Sequence, residues 1–152
     1  MVRLKLPEAM AEALAEAEAA GKRGEVPVGC TIVDGRGTII ASAGNRTVEL
    51  KDPTAHAEML AIRAAAAQIG SERLVGCDLY VTLEPCAMCT AAISFARLRR
   101  LYYGVPDPKM GAVEHGPRFF IQPTCHHRPD VYGGIGEMEA GRLLKEFFAT
   151  RR

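Results

Sequence analysis

Thr82–Ala92 reads TLEPCAMCTAA, and its two cysteines, Cys86 and Cys89, stand three residues apart directly after a proline. Just upstream, Asp78 to Leu83 has the composition of a short strand, and Glu84-Pro85 opens a helix to about Ala96. Proline suits the first helical position, where its missing N–H is no loss. The stretch is therefore a strand running straight into a helix, with a CxxC pair at the junction. Such a pair is open to three readings: a redox dithiol, half of a structural zinc knuckle, or part of a catalytic metal site. A zinc ribbon needs a second CxxC, and the sequence holds none. A thioredoxin-like motif leaves unexplained a second loaded stretch, DPTAHAEMLAIR at Asp52–Arg63, which carries His56 and Glu58.

Working outward, Pro7 to Ala20 reads as an alanine-rich helix with Met10, Leu14 and Ala17 at helical spacing and Gly21 as its stop. Val26 to Val33 and Thr38 to Ala43 read as strands, joined by the hairpin residues DGRG. Pro53-Thr54 starts a helix to about Ile69, with Thr54 as a good N-cap. Arg100 to Val105 is a strand with paired tyrosines. Pro106 to Gly136, rich in Gly, Pro and His, receives no assignment. Glu137 to Arg152 is a closing helix with Ala140, Leu143, Leu144 and Phe147 on one face. Helix, hairpin, then alternating helix and strand indicates an α/β fold with a single mixed sheet and helices on both faces. The functional crevice of such sheets lies at strand ends, where helix N-termini gather.

His56 and Glu58 fall in the first turn of one predicted helix, and Cys86 and Cys89 in the first turns of another, on one face. A helix N-terminus favours the thiolate, the form that binds metal. One histidine and two cysteines form a nitrogen-and-sulfur set of the kind zinc prefers, and three protein ligands leave a position for water, the mark of a catalytic site. Two thiolates cancel the charge of the dication, so its water needs a nearby base, for which Glu58 is the candidate. Residues i and i+2 diverge on an ideal helix, so the two side chains meet only if the metal sits off the open helix end.

HAE at 56–58 with PCAMC at 85–89 matches the H-x-E…P-C-x-x-C signature of zinc-dependent deaminases. The sequence resembles bacterial tRNA-specific adenosine deaminases of the cytidine/deoxycytidylate deaminase superfamily. The resemblance is dense through EVPVG at 25–29, GNR at 44–46, DPTAHAE at 52–58, LYVTLEPCAMC at 79–89 and DPKMGA at 107–112. It thins from Glu114 and returns in the closing FFATRR. It implies the three-layer α/β/α cytidine-deaminase fold with about five strands, and a homodimer with one zinc per subunit held by His56, Cys86 and Cys89. Glu58 would shuttle protons while water attacks carbon 6 of adenine, leaving inosine and ammonia. The substrate implied is the wobble adenosine of a tRNA anticodon loop. Asn45 would hydrogen-bond the base and Val28 line the pocket, while Arg46, Asp107, Lys109, Phe147, Phe148 and Arg151 match places where the family meets RNA.

Several residues have plainer readings. Asn45 at a strand end is also a turn former. Phe147 belongs to the apolar stripe of the last helix, and Phe148 either stacks on a nucleotide or packs at a subunit contact. Arg97, Arg99 and Arg100 form a solvated face or contact phosphates. Cys125-His126-His127 reads as an ordinary loop with a packed cysteine, and Cys30 and Cys77 as small buried hydrophobes. The same zinc site would also serve a deaminase of a free base or nucleoside (guanine, cytidine or adenosine), because the pocket walls choose the substrate. Residues 114–135, bulky and apolar, would then close the pocket against a polynucleotide. An inactive RNA-binding or scaffold subunit is the reading from outside enzymology, and an intact Glu58 argues against it.

At 152 residues, 48% apolar and 24% charged, the chain has the size and balance of a single soluble domain spanning 1–152. Glutamates interleave the N-terminal alanines, so no apolar signal-peptide core forms, and no run approaches the ~18 apolar residues of a membrane span. Five cysteines, two of them in CxxC, fit the reducing cytoplasm rather than a secreted disulfide framework. Residues 1–89 carry 9 Lys/Arg against 12 Asp/Glu and residues 90–152 carry 10 against 6, which directs an anionic partner to the C-terminal half.

Overall fold

In the computed structural model, which describes residues 5–151, the alanine-rich N-terminal segment forms helix α1, Glu8–Lys22. Ala9, Ala13, Ala17 and Ala20 recur at helical spacing and are buried. That face is small because the chain beneath it is smaller still: a Cβ on Gly29 would overlap the Ala13 carbonyl oxygen, and one on Gly44 would stand 2.7 Å from the Glu16 carbonyl oxygen. The helix runs one residue past Gly21, the expected stop. The turn that ends it uses Gly24, at φ +88, where glycine's freedom is needed.

Strands β1, Gly29–Val33, and β2, Ile39–Gly44, pair antiparallel across the predicted hairpin, with Gly29 opposite Gly44. The Asp34 side chain accepts from the N–H groups of Arg36 and Thr38 inside the turn. β1 begins three residues later than expected. Pro27 brings no N–H to a ladder, and Val28 turns its own N–H back to the Val26 carbonyl at 2.8 Å. Helix α2, Ala57–Ile69, follows, then β3, Asp78–Leu83, helix α3, Ala87–Phe95, and β4, Arg100–Val105. The stretch left unassigned contains a short 3-10 turn at Phe119–Ile121 and strand β5, Asp130–Tyr132. Three residues are too few for a periodicity to be read in sequence. Helix α4, Glu137–Ala149, closes the fold, ending before the predicted limit; Arg152 lies outside the described residues.

Among the described residues the sheet order is β2-β1-β3-β4-β5, with β3, β4 and β5 parallel and the other pairs antiparallel. Helices cover both faces. Thr31 hydrogen-bonds the Ala9 carbonyl of α1 at 2.7 Å, while its neighbours Cys30 and Ile32 point the other way into the core beneath α2. α4 packs beside α1, and α3 beside α2. Tyr80, Tyr102 and Tyr132 occupy equivalent positions on three adjacent strands and stack, at centroid separations of 4.4 and 5.1 Å. This is the single mixed sheet between two helical layers that the sequence pattern indicates.

Residues 114–135 contribute no side chain to the lining of the cavity at the ends of β3 and β4. Phe120 and Cys125 are buried in the core, and Cys125 donates to the His127 carbonyl at 3.1 Å. His127 in turn bonds the Leu98 carbonyl at 2.7 Å through Nε2. The Cys-His-His run is a packed loop, and Cys30 and Cys77 are buried apolar residues as expected.

Candidate active site

The C-terminal ends of β3 and β4 meet the N-terminal ends of α2 and α3 around a cavity of about 590 Å3. Val28 and Asn45 stand on one wall, and His56 and Glu58 enter from α2. Leu83, Glu84 and Cys86 come from the β3–α3 junction, Asp107, Lys109 and Met110 from the loop after β4, and Leu144 and Phe148 from α4.

Both helix starts differ from the expectation, and the differences build the site. His56 is the residue before α2, with extended backbone (φ −72, ψ 152), so only Glu58 lies in the first turn. Cys86 likewise precedes α3 with φ −73 and ψ 176, leaving Pro85 outside the helix and Cys89 within its first turn. The bend between extended and helical backbone turns His56 and Glu58 to one cavity, which two residues apart on a regular helix would not share. Thr54 does not cap α2; its N–H and hydroxyl both bond Asp52 Oδ1, at 2.8 and 2.7 Å. The first N–H of the helix, that of Ala57, goes instead to Asn45 Oδ1 at 2.8 Å.

His56 Nδ1 lies 3.6 Å from the sulfur of Cys86 and 3.6 Å from that of Cys89. Zinc bonds of about 2.0–2.1 Å to imidazole and about 2.3 Å to thiolate, at tetrahedral angles, put nitrogen and sulfur about 3.6 Å apart. The donor set and its spacing fit zinc, and the three residues are positioned to hold one metal ion. Among the described residues this is the group of three such side chains close enough to share an ion.

The electrostatics of the cluster follow from burial and shared protons. A hydrogen bond from Cys89 stabilises the Cys86 thiolate and, with His56, pulls its pKa down to about 4 against the cost of burial. Cys89 is pushed up by that same bond, by its burial and by Glu58. His56 is raised by its bond to Cys86. The proton shared within the cluster is the one a dication would displace. Glu58 is 4% exposed, and burial chiefly lifts its pKa to about 7; the Cys86 charge adds to this, while its own backbone N–H and His56 pull the other way without cancelling it.

Of the other residues singled out from sequence, Val28, Asn45, Asp107, Lys109 and Phe148 line the cavity. Asn45 also ties backbone together, donating to the Val26 carbonyl at 3.2 Å. Arg46, Phe147 and Arg151 lie outside the lining. Arg46 pairs with Glu49 at 3.3 Å, and the Arg151 guanidinium stacks 3.6 Å above the Phe147 ring. Phe147 is half-buried rather than part of the core, and α4 fully buries only Ala140. Arg99 and Arg100 sit at the start of β4, the far end of the sheet from the cavity, and both reach Asp78, Arg99 through two bonds of 3.0 and 2.8 Å.

Two carboxylates on the cavity's flanks were not recognisable as structural from sequence. Glu25 accepts from Thr47 Oγ1 and from the N–H groups of Val48 and Glu49, at 3.3, 3.1 and 2.9 Å. Burial opposes its ionisation, but these donors and the Arg23 charge outweigh burial and hold its pKa below the ordinary value. Glu84 holds the opposite rim and is likewise kept ionised against burial, by the N–H groups of Asp107, Val113 and Glu114 and by His115. The available signal was an acid embedded in apolar flanks, EVPV and TLEPC, since a buried carboxylate requires donors.

A family model described as the cytidine and deoxycytidylate deaminase zinc-binding region matches residues 5–105. The chain is 63% identical over 141 residues to a tRNA-specific adenosine deaminase of Agrobacterium fabrum, covering 92% of this chain and 91% of that one. It is 49% identical to a tRNA-specific adenosine deaminase of Rickettsia bellii, over 94% of this chain and 99% of the relative. A solved structure from a study of A-to-I editing by tRNA deaminases at the wobble position superposes with a TM-score of 0.88 at 62% identity, over 90% of this chain and 98% of that one.

Proposed function

Because the chain belongs to the zinc-dependent cytidine and deoxycytidylate deaminase family, we propose that it hydrolyses adenosine to inosine at the wobble position of a tRNA anticodon. The observation that carries the choice of substrate is the 63% identity, across nine-tenths of both chains, to a tRNA-specific adenosine deaminase. The His-Cys-Cys cluster with a carboxylate beside it supports the reaction.

His56, Cys86 and Cys89 would hold the zinc, which would supply the Lewis acidity that makes water a nucleophile near neutral pH. Glu58 accepts the first proton of the water and hands it to the ring nitrogen beside the reacting carbon, then takes the proton of the new carbon-6 hydroxyl and passes it to the departing amine. Water adds to carbon 6 of adenine, the carbon–nitrogen bond breaks, and inosine and ammonia result. Asn45 retains one amide hydrogen and one oxygen lone pair after its backbone bonds, and with these it holds the base. Val28 packs on the ring. At the mouth, Asp107, Lys109 and Phe148 meet the nucleotides on either side, and Arg46, Phe147 and Arg151 extend that surface along the RNA. The whole of residues 1–152 acts as one deaminase domain.

The protein works as a homodimer. The support is α3, whose outward side carries half-buried Met88, Ala91 and Ala92 and leaves Phe95 72% exposed, an apolar face suited to a second copy. Among the described residues no helix is long and apolar enough to cross a membrane. Five free cysteines and a tRNA substrate accord with the cytoplasm.

The test is a substrate panel read as ammonia release with base analysis. An anticodon stem–loop RNA with adenosine at the wobble position is turned over, and free adenosine, cytidine and guanine are not. Comparable turnover of a free base would overturn the assignment in favour of a free-base deaminase.

A further inference from the structure

Asp107–Met110 forms the outer wall of the cavity, yet residues 107–115 contain neither helix nor strand to hold them in place. Their anchor is the side chain of Glu84, which is fully buried. Glu84 Oε1 accepts from the Asp107 N–H at 2.9 Å and from His115 Nδ1 at 2.8 Å. Oε2 accepts from the Val113 and Glu114 N–H groups at 3.2 and 3.0 Å. A carboxylate has room for about four donors, so this one is saturated and has no lone pair left for substrate.

Backbone contacts complete the joint. Ala112 donates to the Pro85 carbonyl at 2.9 Å, and Gly111 pairs with Cys86 as an antiparallel bridge. The approach is close enough that a Cβ on Gly111 would stand 2.5 Å from the Glu84 carboxyl carbon. The wall is thus fastened to the segment that carries Cys86.

We propose that Glu84 is a positioning residue for substrate selection: by saturating its carboxylate with the 107–115 segment it fixes the wall that meets the nucleotides flanking the reacting base. This rests on the reading that the base arrives within an RNA. Loss of the clamp loosens contacts made equally before and during the chemical step. It therefore acts on KM and spares kcat.

The experiment is steady-state kinetics on the wobble-adenosine stem–loop RNA for wild type, Glu84→Gln and His115→Ala, with zinc content and Tm measured on the same preparations. Glutamine keeps the shape but turns an amide donor toward N–H groups. In Glu84→Gln, zinc stays at one per chain, KM rises about tenfold and kcat stays within about threefold. His115→Ala removes one donor of the four and raises KM in the same direction by about two- to fivefold. Wild-type kinetics in Glu84→Gln, a fall in kcat with KM unchanged, or zinc lost in step with activity would each overturn the proposal. Should Glu84→Gln not fold, an unchanged KM in His115→Ala overturns it and a raised KM supports it. Wild-type enzyme that ignores the RNA and consumes a free base instead defeats the functional reading itself, and the selection role with it.

Discussion

Two glutamates face the same cavity but differ in what their oxygens already hold. Glu84 accepts four hydrogen bonds from the loop it anchors, whereas Glu58 stands beside the metal-binding cluster with its carboxyl raised toward neutrality by burial. In sequence they look alike, each an acid two residues from a zinc-binding side chain. The neighbours tell them apart, because an acceptor already filled by three backbone N–H groups and the His115 ring has no capacity for moving a proton. Replacing Glu58 by alanine lowers kcat by about 10²–10⁴, the usual range for a general acid–base group, and leaves one zinc per chain. Metal loss in Glu58→Ala, read by elemental analysis, would make Glu58 a ligand instead. Asn45 follows a similar logic: its amide caps α2 through Ala57 and also reaches Val26, and the same two atoms keep one hydrogen and one lone pair free for the proposed hold on the base.

Among the elements, α1 was legible as an alanine-rich helix with Met10 and Ala17 on its buried face, but not the burial of Ala9, Ala13 and Ala20 or the reason for that face's small size. It lies in the glycines of two strands that the chain reaches later. Gly29→Ala forces a methyl group into the backbone of α1 and costs about 1–3 kcal/mol, seen as a drop in Tm of several degrees. Gly35→Ala serves as the control, since a Cβ there stands 3.7 Å from its nearest neighbour, and Tm there stays nearly unchanged. Equal Tm shifts in the two variants would remove the close helix–strand contact as the cause. The helix starts show the opposite pattern. Thr54 and Pro85 have the right local chemistry to begin a helix, and neither does. At both places a metal-binding side chain, His56 or Cys86, takes the extended position just before the first turn, which aims it across the cavity rather than around a helix.

At the scale of the molecule, the layered fold gathers two strand ends and two helix starts into one cavity. The charge imbalance between the halves of the chain does not mark the RNA path by itself. Arg99 and Arg100, which contribute to it, are paired with Asp78 at the far end of the sheet. Lys109 stands at the cavity mouth, and Arg46 and Arg151 are the cations proposed to extend the RNA surface beyond it. If those three neutralise phosphates, log affinity for the stem–loop falls with log salt at a slope of about −2, measured by fluorescence anisotropy; a flat response would remove them from the RNA surface. The sequence alone determined the layer architecture, the order of the larger elements and the identity of the metal-binding set, because helical and strand periodicities recur locally along the chain and the HAE and PCAMC spacings are each set within a few residues. Folding in three dimensions settled which acids are clamps, where β5 pairs, and that residues 114–135 feed the core instead of the cavity. Those outcomes depend on contacts between residues 20 to 30 or more apart in the chain, Glu25 with 47–49 and Glu84 with 107–115. No local pattern encodes how a buried carboxylate finds its donors.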